Sequence, residues 1–175
     1  MIFGMTASTY TFLHVLISLV AIGSGLIVMV GFLTGKLLDG FTGFFLATTV
    51  ATSVTGFGFK VEHFLPSHAI GIASLVVLAV AIPARYVFHL AGGWRWIYVV
   101  GAATALYLNV FVLIVQSFLK LSGLRALAPT QKEPPFLIVQ LVVLLVFVGL
   151  TVLAVKRFQI KHTHAVQGGH LPRTV

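Results

Sequence analysis

Cysteine is absent from the 175-residue chain. That one absence excludes disulfides, iron–sulfur clusters and thiolate metal centres. Acid is almost absent too, since Asp39, Glu62 and Glu133 are the only carboxylates against eleven Lys and Arg. The three lie in separate connecting segments, so paired-carboxylate chemistry has no foundation. No Gly-rich phosphate loop, no Ser/His/Asp nucleophile set and no repeat of fixed period is present. Charged residues total 8%, whereas a soluble domain carries about 25%. A chain so poor in charge cannot cover a water-facing surface.

Apolar residues fill the space that charge leaves. They make up 59% of the chain, and the mean hydropathy is +1.10. They come in five continuous runs, at about 12–33, 41–59, 67–90, 96–119 and 134–155, each near the 20 or so residues that cross a bilayer as a helix. Continuous runs without two-residue alternation exclude a transmembrane β-barrel. The expected fold is therefore all-α, an integral membrane bundle of five transmembrane helices. It forms one transmembrane domain over residues 1–155, followed by a polar and mostly disordered tail over 156–175. The first run is too long for the apolar core of a signal peptide and lacks a basic leader, so it reads as a retained helix.

Connections read as turns from their Gly and Pro: TGKLLDG, KVEHFLP, AGGWRW and the longer LSGLRALAPTQKEPP. In the last, Thr130 and Glu133 have capping-box spacing ahead of Pro134 and Pro135. Lys36, Arg85, Arg95, Lys156, Arg157, Lys161 and Arg173 fall on one side of the bundle. Lys60, Lys120, Arg125 and Lys132 fall on the other. The basic excess predicts an N-terminus outside and a C-terminus in the cytoplasm, as expected of a bacterial inner-membrane protein. The net charge of +8 is scattered through loops and tail, which suits anionic lipid and gives no nucleic-acid surface.

Membrane topology brings distant polar groups to one depth. His14, near the start of the first helix, and His68, near the start of the third, lie on the same side. Gln116 and Gln140 come to that side as well. On the fourth helix Tyr98, Ala105, Asn109, Val112 and Gln116 form one stripe that should face the interior. His14, Ser18, Ala21 and Gly25 form a second stripe. Gly43, Ala47, Ala51 and Thr55 form a small-residue seam on the second helix. The first four helices should pack compactly with the fifth peripheral. Pro83 should kink or loosen the end of the third helix.

Two imidazoles from facing helices at one depth are what a single b-type haem requires, so His14 and His68 are its candidate axial ligands. Interfacial histidines meeting water and headgroups are the plain alternative. A quinone site would use the same histidines with Gln116 and Asn109, although Asn and Gln also serve as interhelical hydrogen-bond glue. A divalent-metal site from Glu62, His63 and His68 is weighed against a solvated hinge. His162, His164 and His170 could bind metal weakly or be merely solvated. Arg85 and His89, four residues apart, could hold an anionic headgroup, with snorkelling to the interface as the simpler account.

The stretches TFLHVLISLVAIGSG, TSVTGFGF and IPARYVFHLAGGWRW resemble a widespread group of uncharacterised bacterial inner-membrane proteins, itself distantly similar to small four-helix b-type haem cytochromes. The resemblance spans roughly residues 10–120 and implies membrane electron transfer. The chain departs from that pattern at Gly40, where a histidine would begin the second helix. Electron transfer through one haem or a quinone site is the leading functional expectation. A non-catalytic accessory or structural subunit paired with another membrane protein comes second, and a small transporter third.

Overall fold

The computed structural model describes residues 5–59 and 66–168, the side chains of Pro66 and of residues 159–168 excepted. Within them the chain is all-helical. The helices are α1 (Ala7–Thr34), α2 (Asp39–Gly56), α3 (Pro66–Tyr86), α4 (Trp94–Lys120), the short α5 (Ser122–Leu127) and α6 (Pro134–Gly168). Four of them, α1, α3, α4 and α6, are long and apolar enough to cross a membrane. α2 falls outside that set because six of its 18 residues are Ser or Thr. Within it, Thr48 donates to the Phe44 carbonyl and Thr55 to the Ala51 carbonyl, each one turn back.

α4 is central and touches every other helix, while α1 packs chiefly on α2 and α3 on α4. α6 lies against α1 and α4 and leaves most of its apolar side chains exposed. Its contribution to the core is Phe147, Ala154 and Phe158. Tyr98, Val99, Ala102, Ala105 and Leu106 of α4 are sealed, together with Phe32 of α1 and Phe45 of α2. The stripe on α4 is buried from Tyr98 through Asn109 and then emerges, leaving Gln116 exposed.

Four local expectations change. The buried face of α2 runs through Thr42, Phe45, Leu46, Thr49 and Ser53, while Ala47 of the small-residue seam is exposed. On that face Thr49 accepts from Asn109 of α4, whereas the buried Thr42 hydroxyl has no hydrogen-bond partner. Residues 122–127, expected as loop, form α5. Only half of the capping box forms. The Glu133 carboxylate accepts from the Thr130 amide and hydroxyl, but the helix starts after Glu133. The tail, expected disordered beyond Val155, continues α6 to Gly168.

α3 runs through Pro83 and ends at Tyr86, one turn later. Its end closes with the Leu90 amide donating to the Ala84 carbonyl, while His89 and Leu90 stand at φ 47° and 58°. Glycine normally occupies that left-handed position after a helix. α1 ends in the expected way, with Gly35 at φ 66°.

Candidate functional site

Two polar clusters sit at opposite ends of α2. At its C-terminal end, His14 Nδ1 lies 2.8 Å from Thr55 Oγ1. Thr55 already gives its proton to Ala51, so it accepts from the imidazole. His14 therefore carries its proton on Nδ1 and presents Nε2 as a bare acceptor. Tyr10 adds a 2.7 Å hydrogen bond to the Thr55 carbonyl, and Phe59 meets the His14 ring edge-on. His68 is buried, with its ring stacked on Phe57, 5.6 Å between centroids and 15° between planes. Gly71 faces the same Phe57 ring.

Both histidines thus meet the last turn of α2, His14 through Thr55 and His68 through Phe57. Asn109 and Gln116 join neither. Asn109 Nδ2 donates to Thr49 Oγ1 at 3.4 Å in the buried interior. Six residues separate Thr49 from Thr55, which places this contact about 9 Å deeper along α2. Gln116 reaches the depth of His14 on an exposed face of α4. Gln140, from α6, donates to the Phe111 carbonyl of α4. Asn109 and Gln140 thus each link two helices.

Glu62 and His63 lie outside the described residues, as do His170 and the side chains of His162 and His164. Among the described residues, no group of three or more His, Asp or Glu converges as a metal site.

The second cluster, at the N-terminal end of α2, was only half visible in the sequence. Arg85 pairs with Asp39, the guanidinium drawn in to 12% exposure while the carboxylate remains 75% exposed. The same guanidinium lies over the rings of Tyr86 and Tyr98, 5.6 and 5.9 Å from their centroids. The hydroxyls of Tyr98 and Thr42 approach each other, and no other group engages either. An open cavity of about 280 Å³ lies here, lined by Leu37, Arg85, Tyr86, His89, Leu90 and Arg95. Beside it Phe88 and Trp94 stack at 3.9 Å.

The Arg85/His89 spacing was the one sequence signal for this site. Nothing local pointed to Asp39, which is 46 residues away, or to Arg95 as a wall of the same cavity.

Compared with protein-family models, curated proteins and solved structures, the chain matches none.

Proposed function

We propose that the protein crosses a bacterial inner membrane five times, N-terminus outside and C-terminus inside, and acts as a non-catalytic accessory subunit of a membrane complex. The fifth crossing is α2. Its start is tied to the end of α3 by Asp39 and Arg85, and its end to the start of α3 by Phe57 and His68. It therefore runs antiparallel to α3 over the same depth. Its 18 residues span about 27 Å as a helix, close to the roughly 30 Å of a hydrocarbon core.

The accessory role rests on how interior polar groups are used. Asn109 with Thr49, Gln140 with Phe111 and His14 with Thr55 each join two helices, which is how polar residues secure a membrane bundle. Purification in mild detergent should carry a stoichiometric partner protein. A lone monodisperse species from several mild detergents refutes the role.

Topology has its own test, made clean by the absence of native cysteine. A single cysteine at Gly123→Cys should react with an impermeant maleimide on intact cells, and one at Gly40→Cys should not. Both sites are open, with nothing near a new side chain. Equal labelling of the two would rule out the odd number of crossings between them.

One observation favours the electron-transfer reading as the second choice. The Nδ1 hydrogen bond to Thr55 fixes the His14 tautomer and leaves Nε2 available, which is how a metal-ligating histidine is held. His68 would be the second ligand of a b-type haem, and the likeness to haem cytochromes supports the same reading. Haem would supply a one-electron carrier, while Thr55 and Phe57 orient the two imidazoles. Protein expressed with ample haem should then show a Soret band that His14→Ala removes. A colourless protein refutes the haem.

A further inference from the structure

We propose that the cavity between the end of α3 and the start of α4 binds a phosphate group, held by Arg85, Arg95 and His89. This site lies at the end of α2 opposite His14 and His68 and is independent of both readings above.

Snorkelling, the simpler account of Arg85, does not describe what this side chain does. A snorkelling arginine sends its guanidinium outward to water. Arg85 instead turns inward, 12% exposed, over two tyrosine rings. Its Nε and that of Arg95 are both buried without a hydrogen-bond partner. An arginine carries five N–H donors in a planar fork, and Asp39 meets Arg85 through one of its nitrogens. Each arginine therefore keeps one buried donor that nothing on the protein receives, and both side chains line the same cavity.

Charge agrees with geometry. Lys36, Arg85, Arg95, Lys156 and Arg157 gather at this end, and Arg157 reaches the Leu33 carbonyl at the end of α1. Among the described residues Asp39 is the one acid at this end, because Glu133 precedes α6 at the other. An anion complements this charge. A carboxylate has two oxygens and satisfies one fork. A phosphate can engage two guanidinium groups and still accept from an imidazole N–H.

The cavity volume, about 280 Å³, falls just short of the roughly 300 Å³ at which pockets for drug-sized ligands begin. It suits a headgroup or a small phosphate. Leu37, Leu90 and the Tyr86 ring offer apolar walls beside the charges, as the glycerol end of a lipid would need. His89 enters the cavity because the chain turns left-handed there, at φ 47°.

The phosphate has two sources, and one experiment separates them. The full chain in dodecyl maltoside is titrated with phosphatidylglycerol and, separately, with inorganic phosphate. Bound ligand is read by native mass spectrometry and by fluorescence of Trp94 beside the cavity. Loss of one charge-assisted hydrogen bond lowers affinity roughly tenfold or more, which is the loss expected for Arg95→Gln. Arg95→Lys should recover only part of it, because charge is kept and the fork is not.

His89→Gly removes the imidazole at a position glycine favours. It should bind several-fold more weakly in a protein at least as stable as the parent, so misfolding cannot mimic the result. Lys120→Gln, at the other end, should bind like the parent. Saturable lipid binding with these losses supports a headgroup site. The same losses with inorganic phosphate alone support a soluble ligand. Parent-like binding of both ligands by Arg95→Gln and His89→Gly overturns the proposal. So does a loss in Lys120→Gln equal to theirs.

Discussion

Gly25→Ala adds a single methyl at the tightest crossing in the bundle. An ideal Cβ at Gly25 would stand 2.6 Å from Leu106 Cδ1 and 2.7 Å from Phe45 Cε2. Leu106 and Phe45 are each 1% exposed, so neither can swing into open space. Forcing a methyl into a filled core costs about 1–3 kcal/mol. Alanine's better helix propensity returns about 1 kcal/mol in water. Less is returned here, because a helix separated from its neighbours in lipid keeps its own backbone hydrogen bonds. The net expectation is destabilisation by about 1–2 kcal/mol.

Gly23 supplies the control. It lies two residues earlier on the same helix, with nothing within 4 Å of a new Cβ. Gly23→Ala takes the propensity gain without the clash and should be neutral or stabilising by up to about 1 kcal/mol. The assay is an SDS titration of dodecyl-maltoside-solubilised protein, followed by fluorescence of Trp94 and Trp96, the two tryptophans of the chain. Leu106→Val in the Gly25→Ala background should restore part of the loss. A Gly25→Ala protein as resistant to SDS as Gly23→Ala would refute the close approach of α1 to α2 and α4.

Two further outcomes follow from the polar contacts. Asn109→Ala and Thr49→Val should each destabilise the same titration by about 0.6–1.7 kcal/mol. The double variant should cost less than the sum, and strict additivity would show that the two do not interact. At the start of α6, slight desolvation of Glu133 is outweighed by hydrogen bonds from the Thr130 hydroxyl and amide and the Lys132 amide, so its carboxyl sits below the usual 4.5. A folded value below the unfolded one means that the contribution is complete above 4.5 and fades as pH falls through the folded value. Amide exchange at Thr130 and Lys132, corrected for intrinsic rates, should therefore accelerate on acidification in the parent. In Glu133→Gln it should be insensitive to pH.

The sequence was enough to show helices long and apolar enough to cross a membrane, and composition is the reason. Charge is 8% of the chain, and four apolar helices reach bilayer length. Periodicity was enough for the inward stripe on α4 down to Asn109, since a polar group at that depth must turn away from lipid. The expectation of five alternating runs put His14 and His68 at one end, and both do meet the end of α2. The hydrophobic reading was weakest for α2. Its small residues suggested a packing seam, yet the face that is buried carries Thr42, Phe45, Leu46, Thr49 and Ser53, with Thr49 meeting Asn109 of α4.

What only the tertiary structure decided is which polar groups find each other. Hydropathy is a property of segments, whereas a hydrogen bond or ion pair depends on rotation about the helix axis to within a fraction of a turn. That rotation gave Asn109 to Thr49, 60 residues away, and His14 to Thr55, 41 residues away. It also folded Arg85 inward onto Asp39 and two tyrosines, although its sequence context allowed it to reach for water. The left-handed turn at His89 set that side chain on an open cavity lined by two arginines, from residues that local pattern could only describe as a basic loop.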